Sequence, residues 1–502
     1  MTYLEIFKQL NTIPRPSHHE EKVADFLCCF AEEHCLKYRR DENNCVVIEK
    51  PASPGYEEHD TIVILNHMDM VCVAEPEKPF NPLTSPIETI SYEENGESWM
   101  RAKGTSLGAD NGIGLSMALA ILADDTIPHP ALEVLTTTNE EDGMSGAAGL
   151  AQDFIKGRKV INLDSEAYDE ITIASAGAYM QKAKLSYHRI AMPKDYVAYD
   201  VNVFGGKGGH SGVDINRGRG NAIKILANLL LVAIRQQNIN LYLIQFHGGQ
   251  AAAAIPGDAE AKVIIPSDQQ ENFETLVKQC DEALIAQFSQ TDPDIEITCD
   301  KTVWHGTIIN EESTHLILAS LNAIPVGPIT MRDATVQIPT ATVQTPAATV
   351  PEAPASGSSS SVLTSNNIGI VSQSTNAFTI SIHTRSFNND ALHEVAKNIT
   401  QIFTLTGAEV ECLMDLSSWQ EDETNDFITL ALNTFQSTLG FEPKKVSMHF
   451  ALEAGYLVEK FPGIHIVSIG PRILYPHSTH ECVNLTTAEN IWKVTLNLLK
   501  AL

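Results

Sequence analysis

The hydrophobic residues of the N-terminal part alternate between the spacing of helices and that of strands. Ser17 and Glu20 resemble a capping box, and the apolar pattern after them predicts a first helix from about residue 18 to the mid-thirties. A second helix is predicted at 112–123. Short β-branched runs predict strands at 45–48, 61–65, 132–138 and 160–163. This alternation predicts an α/β fold with a mixed, largely parallel sheet, whose strand C-terminal ends are the expected place for a site.

The pattern changes at about residue 182 to the order β-α-β-β-α-β, which is typical of a ferredoxin-like domain. Its predicted elements are strand 196–204, helix 221–234, strands 241–246 and 259–265, helix 273–288 and strand 295–299. We therefore expect 1–182 and 412–502 to form one α/β catalytic domain, interrupted by an α+β lid domain at 183–411. Residues 335–361 are dominated by Thr, Ala, Pro and Ser, which predicts a mobile surface insertion in the lid.

Composition narrows the class of protein. A length of 502 residues suggests at least two domains. The net charge of −29 would repel a phosphate backbone, so we expect no nucleic-acid partner. The sequence has neither an apolar run of about 18 residues nor a signal-peptide pattern, so we expect no membrane partner. Nine scattered cysteines without a CxxC pair favour free thiols in a reducing cytoplasm.

Candidate metal-binding chemistry begins in LNHMDMV, where His67 and Asp69 lie two residues apart at the end of a predicted strand. In extended chain both side chains face the same side, so one can bind a metal while the other accepts the second imidazole N–H. A hydrogen-bonded pair at a sheet edge is the alternative. In SLGADNGIG, Asp110 lies among glycines before a helix, where it is either a ligand or a helix cap. A phosphate-binding loop is disfavoured there because the P-loop lysine is missing.

Further carboxylates follow two other predicted strands. Glu140 and Glu141 are adjacent in TTTNEEDGMSG, and Asp164 ends INLDSE. Lone carboxylates after strands are usually solvated turn residues, and an exposed acidic turn is the alternative for the glutamate pair. Together with His67, Asp110 and a later histidine they form the ligand set that suits zinc and neighbouring divalent ions. Three carboxylates and a bridging hydroxide would balance two such ions, so we assign Glu141 to the metal and Glu140 to the nucleophilic water as general base.

These motifs also carry a resemblance. HMDMV, GTSLGADNGIG, TNEEDGMSGAAGL, NLDSE, GGKGGHSGVDINRGRGNA, MHFALEAG and SIGPRILYPHSTHE occur in the order found in the Xaa-His dipeptidases, also called cytosol non-specific dipeptidases. The chain resembles this family from its first helix to its last. The wider family contains two-zinc peptidases and deacylases such as carnosinases and carboxypeptidase-G2-like enzymes. The resemblance implies a zinc-peptidase catalytic domain and a homodimer formed through the lid.

The resemblance also implies residue roles. His67 and Asp164 would complete the shell of one metal, Glu141 and His477 that of the other, and Asp110 would bridge them. Asp69 would orient His67, Glu140 would be the catalytic carboxylate, and the peptide bond from Asp110 to Asn111 would be cis.

In the lid, the family pattern implies that His210 steadies the oxyanion, after lid closure or from a partner subunit. Arg385 resembles the arginine that grips the terminal carboxylate of the substrate. His449 resembles a further substrate-side residue. From the residues alone, His210 reads as a turn histidine between glycines. For His449, a buried structural histidine is the alternative.

The chain departs from the family at two places on the substrate side. Ala253, Ala254, Ile255, Pro256 and Gly257 stand where many relatives read Asn-x-Ile-Pro-Arg, so polar groups are lost. Phe450 follows His449 where relatives have Ala, which would narrow the pocket.

The expected function is metal-dependent hydrolysis of unblocked dipeptides, including Xaa-His, by a metal-bound hydroxide. Zinc is the expected metal, and the ligands also suit manganese or cobalt. The alternatives are an N-acyl-amino-acid deacylase or tripeptidase on the same metal core, or a non-catalytic binding paralogue.

Overall fold

The computed structural model describes residues 1–331 and 362–502, so the insertion expected at 335–361 lies outside the described residues. The chain divides into two compact units. The split unit comprises Met1–Ser175, Trp419–Ser447 and Leu452–Leu502. The inserted unit comprises Ala176–Ser418 and Met448–Ala451.

The helices of the described residues are α1 Tyr3–Leu10, α2 Glu21–Glu33, α3 Ala109–Ala123, α4 Ser145–Gly149, α5 Ala222–Arg235, α6 Gln270–Phe288, α7 Glu311–Ala323, α8 Asn389–Leu405, α9 Asp426–Leu439, α10 Ala454–Lys460 and α11 Leu485–Ala501. The strands are β1 Lys37–Arg40, β2 Val46–Lys50, β3 Ile62–His67, β4 Thr89–Glu94, β5 Glu97–Ala102, β6 Leu132–Thr137, β7 Lys159–Asn162, β8 Glu170–Ser175, β9 Gly177–Ser186, β10 Arg189–Ala191, β11 Tyr196–Phe204, β12 Gly209–His210, β13 Tyr242–Gly248, β14 Ala254–Ile255, β15 Ala259–Pro266, β16 Glu296–Thr302, β17 Thr307–Ile309, β18 Gly327–Met331, β19 Val362–Gln373, β20 Ala377–Ser386, β21 Glu409–Leu416, β22 Trp419–Gln420, β23 Lys444–Met448, β24 His465–Ser468, β25 Ile473–Leu474 and β26 Cys482–Asn484.

The split unit is built on a mixed sheet in the order β1-β2-β6-β3-β7-β24-β8-β22, with β23 paired to β8. Parallel pairing joins the four central strands β6, β3, β7 and β24, and the flanking pairs are antiparallel. Alternate residues of β3 enter two different cores: Ile62 and Ile64 join one, while Val63 and Leu65 join the other. Both faces of the sheet are therefore covered, as the continuous apolar runs predict, and the α/β class is confirmed.

The inserted unit contains a nine-stranded antiparallel sheet in the order β16-β11-β15-β13-β19-β20-β9-β21, with β18 paired to β19. Its first four strands, with α5 and α6, have the chain order and the neighbour order of a ferredoxin-like unit, so this expectation is confirmed. Apolar residues of α5, α6, α7 and α8 share one core with the sheet. The second half of the sheet, from β19 to β21, extends the motif beyond what the pattern predicted.

The structure moves the domain boundaries that the sequence indicated. The expected boundaries, 182/183 and 411/412, fall inside β9 and β21. These two strands pair with each other along their lengths, and β9 also pairs with β20. A boundary inside either strand would divide a continuous ladder, and both strands lie entirely in the inserted unit.

The nine cysteines are all free thiols. Within 1–331 and 362–502, every helix is too short or too polar to cross a membrane.

Candidate active site

The split unit collects acidic and imidazole side chains at one edge of its sheet. His67 ends β3, Glu140 and Glu141 follow β6, and Asp164 follows β7. Because β6, β3 and β7 are parallel neighbours, their C-terminal ends lie side by side. Asp110 joins them from the first turn of α3, and His477 from the loop between β25 and β26.

The two histidines share one carboxylate. Nε2 of His67 lies 3.1 Å from Oδ1 of Asp110 and 3.3 Å from Oδ1 of Asp164. Nε2 of His477 lies 3.2 Å from Oδ2 of Asp110 and 2.9 Å from Oε2 of Glu141. Each imidazole therefore has a carboxylate of its own, and the two oxygens of Asp110 serve one histidine each.

Three of these side chains are placed to hold a divalent cation. Ligand atoms of His67, Asp110 and Glu141 all lie within 4.8 Å of one another. Oε1 of Glu141 is buried and has no hydrogen-bond partner among the described residues. Burial lowers the pKa of His477, but its neighbours Asp110 and Glu141 outweigh burial and raise that pKa to about 11. The field of the site therefore favours positive charge, and imidazole with carboxylate is the donor set of zinc-type centres.

Glu140 lies next to this cluster in a different electrostatic state. Burial raises the pKa of its carboxyl well above the usual value, and the carboxylates of Asp164 and Glu141 add to the rise, which His67 opposes. A carboxyl with a raised pKa holds a proton more readily, which suits a group that must accept a proton and later release it.

Asp69 is fully buried and organises the turn that carries both glutamates. Its Oδ1 accepts the backbone N–H of Glu140 at 3.0 Å, and its Oδ2 accepts that of Glu141 at 3.2 Å. Nδ1 of His67 lies 3.2 Å from the main-chain oxygen of Asp69, closer than the 3.5 Å to its carboxylate. The imidazole is thus oriented mainly through the backbone, and the carboxylate holds the glutamate turn.

The capping box predicted at Ser17 and Glu20 is not formed, because both side chains serve this turn. Ser17 Oγ donates to Oδ2 of Asp69 at 2.8 Å, and Glu20 Oε1 accepts the backbone N–H of Asn139 at 2.8 Å. Helix α2 begins at Glu21 without a side-chain cap.

Two buried charged residues that the pattern did not reveal hold the loop before Asp110. The carboxylate of Glu481 accepts the backbone N–H groups of residues 107, 108 and 109 at 2.7, 3.0 and 2.7 Å. The guanidinium of Arg15 donates to the main-chain oxygens of Asp69 and Gly108 at 3.0 and 2.6 Å. No periodic signal marks either residue, since their partners lie far away in the chain. The bond from Asp110 to Asn111 is a cis peptide.

Glu453 is a further buried carboxyl of the split unit that the sequence interpretation did not single out. Thr137 Oγ1 donates to it at 2.8 Å. Burial raises the pKa of Glu453 to about 8.

The other three predicted site residues lie in the inserted unit. His210 is in β12, Arg385 is in β20, and His449 belongs to the segment Met448–Ala451. Nε2 of His449 lies 2.8 Å from Ser365 Oγ. Nδ1 of His210 accepts the backbone N–H groups of Gly212 and Val213 at 3.2 and 3.1 Å. Burial and the nearby charge of Arg385 lower the pKa of His210 to about 4.

The apolar segment at 253–257 is also part of the inserted unit. Ser211, the neighbour of His210, donates its backbone N–H to the main-chain oxygen of Ala253 at 2.8 Å. A Cβ at Gly257 would lie 2.3 Å from the main-chain oxygen of Gly206. Gly257 therefore permits a close approach of two backbone segments, in addition to removing a polar group. Phe450 packs edge-on against the ring of His210, with centroids 5.8 Å apart.

Comparison with known proteins adds the family. The chain is 32% identical over 99% of its length to the cytosol non-specific dipeptidase of Escherichia coli, 96% of which is covered. This protein belongs to the cytosol non-specific dipeptidase family. The crystal structure of aminoacylhistidine dipeptidase from Vibrio alginolyticus matches all of this chain and 96% of its own, with a TM-score of 0.81 and 31% identity.

More distant matches agree with the fold of this dipeptidase family. Residues 201–292 match the peptidase dimerisation domain family. A tripeptidase structure from Staphylococcus aureus covers 99% of this chain and 97% of its own at a TM-score of 0.57, and its 14% identity supports the fold alone.

Proposed function

We propose that the protein is a metal-dependent dipeptidase that hydrolyses unblocked dipeptides, including those with C-terminal histidine. The observation that carries the proposal is the pair of imidazoles sharing Asp110, with Glu140 beside them. The names of the relatives support the substrate class, since one is a non-specific dipeptidase and another an aminoacylhistidine dipeptidase.

We assign His67 and Asp164 to one metal, Glu141 and His477 to the other, and Asp110 to both. Two divalent ions, zinc by preference and otherwise manganese or cobalt, would polarise the scissile carbonyl and lower the pKa of water. Asp69 keeps the glutamate turn in place, so that Glu141 and its neighbour Glu140 face different partners.

Glu140 acts as the general base and then as the acid. Its raised pKa suits removal of a proton from the attacking water and delivery of that proton to the leaving amine. A carboxylate bound to a cation is a weaker base than a free one, so we give both transfers to Glu140 and not to Glu141.

His210 supplies a neutral hydrogen-bond donor to the carbonyl oxygen as negative charge develops there. Because its Nδ1 accepts two backbone N–H groups, the ring proton resides on Nε2. The lowered pKa keeps this tautomer neutral at physiological pH. Arg385 binds the C-terminal carboxylate of the substrate, and His449 contributes to the substrate side. This assignment requires the inserted unit, of the same chain or of a partner in a homodimer, to act on the metal-bound substrate. We place this activity in the cytoplasm.

The first test is Glu140→Gln. We expect metal content equal to that of wild type and a fall in kcat of at least about 10²–10⁴-fold, the usual contribution of a general base. Asp142→Asn is the matched control, because Asp142 lies in the same turn but is exposed and pairs only with exposed His18 among the described residues. Equal hydrolysis by wild type and Glu140→Gln would refute the mechanism. If neither protein cleaves any dipeptide, the non-catalytic paralogue would be the better interpretation.

A second test separates the dipeptidase from its alternatives. Wild type should cleave free dipeptides faster than N-acetylated dipeptides or tripeptides of the same sequence. Cleavage of the acetylated substrates alone would indicate a deacylase, and a preference for the tripeptides would indicate a tripeptidase.

A further inference from the structure

Arg385 is a buried cation without an acidic partner among the described residues. Its side chain is 3% exposed, and its Nε–H has no hydrogen-bond acceptor within 1–331 and 362–502. The contacts of Nη2 in the described part of the chain are with neutral groups, Ser211 Oγ at 3.4 Å and His383 Nδ1 at 3.3 Å. A buried charge is costly unless it is compensated, so this guanidinium is suited to an anion that arrives from outside the unit.

His383 is the partner of Arg385 that the sequence interpretation did not single out. The two residues lie two positions apart on β20 and so face the same side of the sheet. β20 is paired on one side with β19 and on the other with β9, which fixes the backbone under both residues. The long side chain of arginine still has considerable rotamer freedom on a fixed backbone, and a side-chain partner is needed to restrict it.

The protonation state of His383 follows from its contact with Arg385. A guanidinium only donates hydrogen bonds, so Nδ1 of His383 is the acceptor and the ring proton is on Nε2. Burial and the charge of Arg385 lower the pKa of His383 well below its usual value, which keeps the ring neutral. A neutral acceptor orients the guanidinium and leaves its positive charge in place. An aspartate or glutamate at this position would orient the guanidinium but would also neutralise its charge.

We propose that His383 is a positioning residue that fixes the guanidinium of Arg385 through Nδ1, so that the undiminished charge of Arg385 can bind the C-terminal carboxylate of a dipeptide. This inference rests on the proposed function. It makes His383 a further residue that determines the preference for dipeptides with a free C-terminal carboxylate over C-terminal amides.

The test compares three variants of His383 in the metal-loaded enzyme. His383→Asn keeps an acceptor at the position of Nδ1, His383→Gln places its amide at the position of Nε2, and His383→Leu removes both. His393→Asn is the matched control, because this histidine lies in the same unit but is exposed and contacts Asp415. The substrates are one free dipeptide and its C-terminal amide.

We expect His383→Leu to raise the KM of the free dipeptide about tenfold with kcat within about twofold, because one hydrogen bond to a charged group is lost. The KM of the amide should not change, so the preference for the free carboxylate shrinks. His383→Asn should restore most of that preference, and His383→Gln should not.

Three outcomes would overturn the inference. Wild-type kinetics in all three variants would mean that Arg385 needs no positioning. Rescue by Gln but not by Asn would assign the role to Nε2. Equal losses on both substrates would show a general structural role. Cleavage of the free dipeptide by wild type reports separately on the proposed function.

Discussion

Replacing Asp69 by Asn tests whether one buried carboxylate holds the catalytic turn in place. Its two oxygens accept three hydrogen bonds, from the backbone N–H groups of Glu140 and Glu141 at 3.0 and 3.2 Å and from the hydroxyl of Ser17 at 2.8 Å. Asn keeps the shape but has a single acceptor oxygen. One of the two backbone N–H groups must therefore face an NH₂ donor, while the Ser17 hydroxyl can rotate and accept.

The magnitude follows from this count of partners. The variant loses one hydrogen bond to a charged group, about 1.5–3 kcal/mol, and leaves one buried N–H without an acceptor, about 1–3 kcal/mol. Because these contributions overlap, we expect the free energy of unfolding to fall by about 3 kcal/mol, or the Tm by about 6–12 °C for a unit of this size. A turn displaced by about 1 Å should also lower kcat by about 10²-fold.

The assay is thermal unfolding with a chelator present, followed by tryptophan fluorescence. Three of the four tryptophans report on the split unit, namely Trp99, Trp419 and Trp492. Asp142→Asn is the control, since an exposed carboxylate of the same turn should change the Tm by less than about 2 °C. The reasoning fails if Asp69→Asn is also within that range and retains wild-type kcat.

Three further predictions concern the metal site and pH. Glu481→Gln should weaken metal binding about 10–100-fold in a competitive chelator titration, because one oxygen cannot accept all three N–H groups that precede Asp110; unchanged affinity would contradict this role. The pKa of His210 is about 4 in the folded chain and about 6.5 in the unfolded chain. Between pH 4 and pH 6.5 the unfolded chain therefore binds more protons at this residue, so the free energy of unfolding falls as the pH is lowered from about 6.5 to about 4. His210→Gln should reduce that loss in urea unfolding, and an identical pH profile would count against it. Because the pKa of metal-free His477 is about 11, metal binding at pH 7 should displace its proton. Titration calorimetry of metal binding in buffers of different ionisation enthalpy should therefore show about one proton fewer released by His477→Gln than by wild type. Equal proton release would refute the prediction.

Local patterns in the sequence were enough to place much of the site. The β-branched runs mark strands whose ends carry His67, Glu140, Glu141 and Asp164, and parallel neighbours bring such ends to one edge. The β-α-β-β-α-β order likewise predicted the first half of the inserted sheet, because each element is recognisable from its own periodicity.

The partners of these elements were decided by the tertiary structure. Ser17 and Glu20 have the spacing of a helix cap, yet they bind Asp69 and Asn139, because the fold brings stronger or otherwise unsatisfied groups within their reach. His383 became recognisable only once β20 had placed it beside Arg385 in a buried setting.

The sequence by itself determined the elements and the chemical groups at their ends, since both depend on neighbours within a few residues. Only the tertiary structure decided which buried charges share a partner and which remain uncompensated, because hydrogen bonding and desolvation depend on residues hundreds of positions apart.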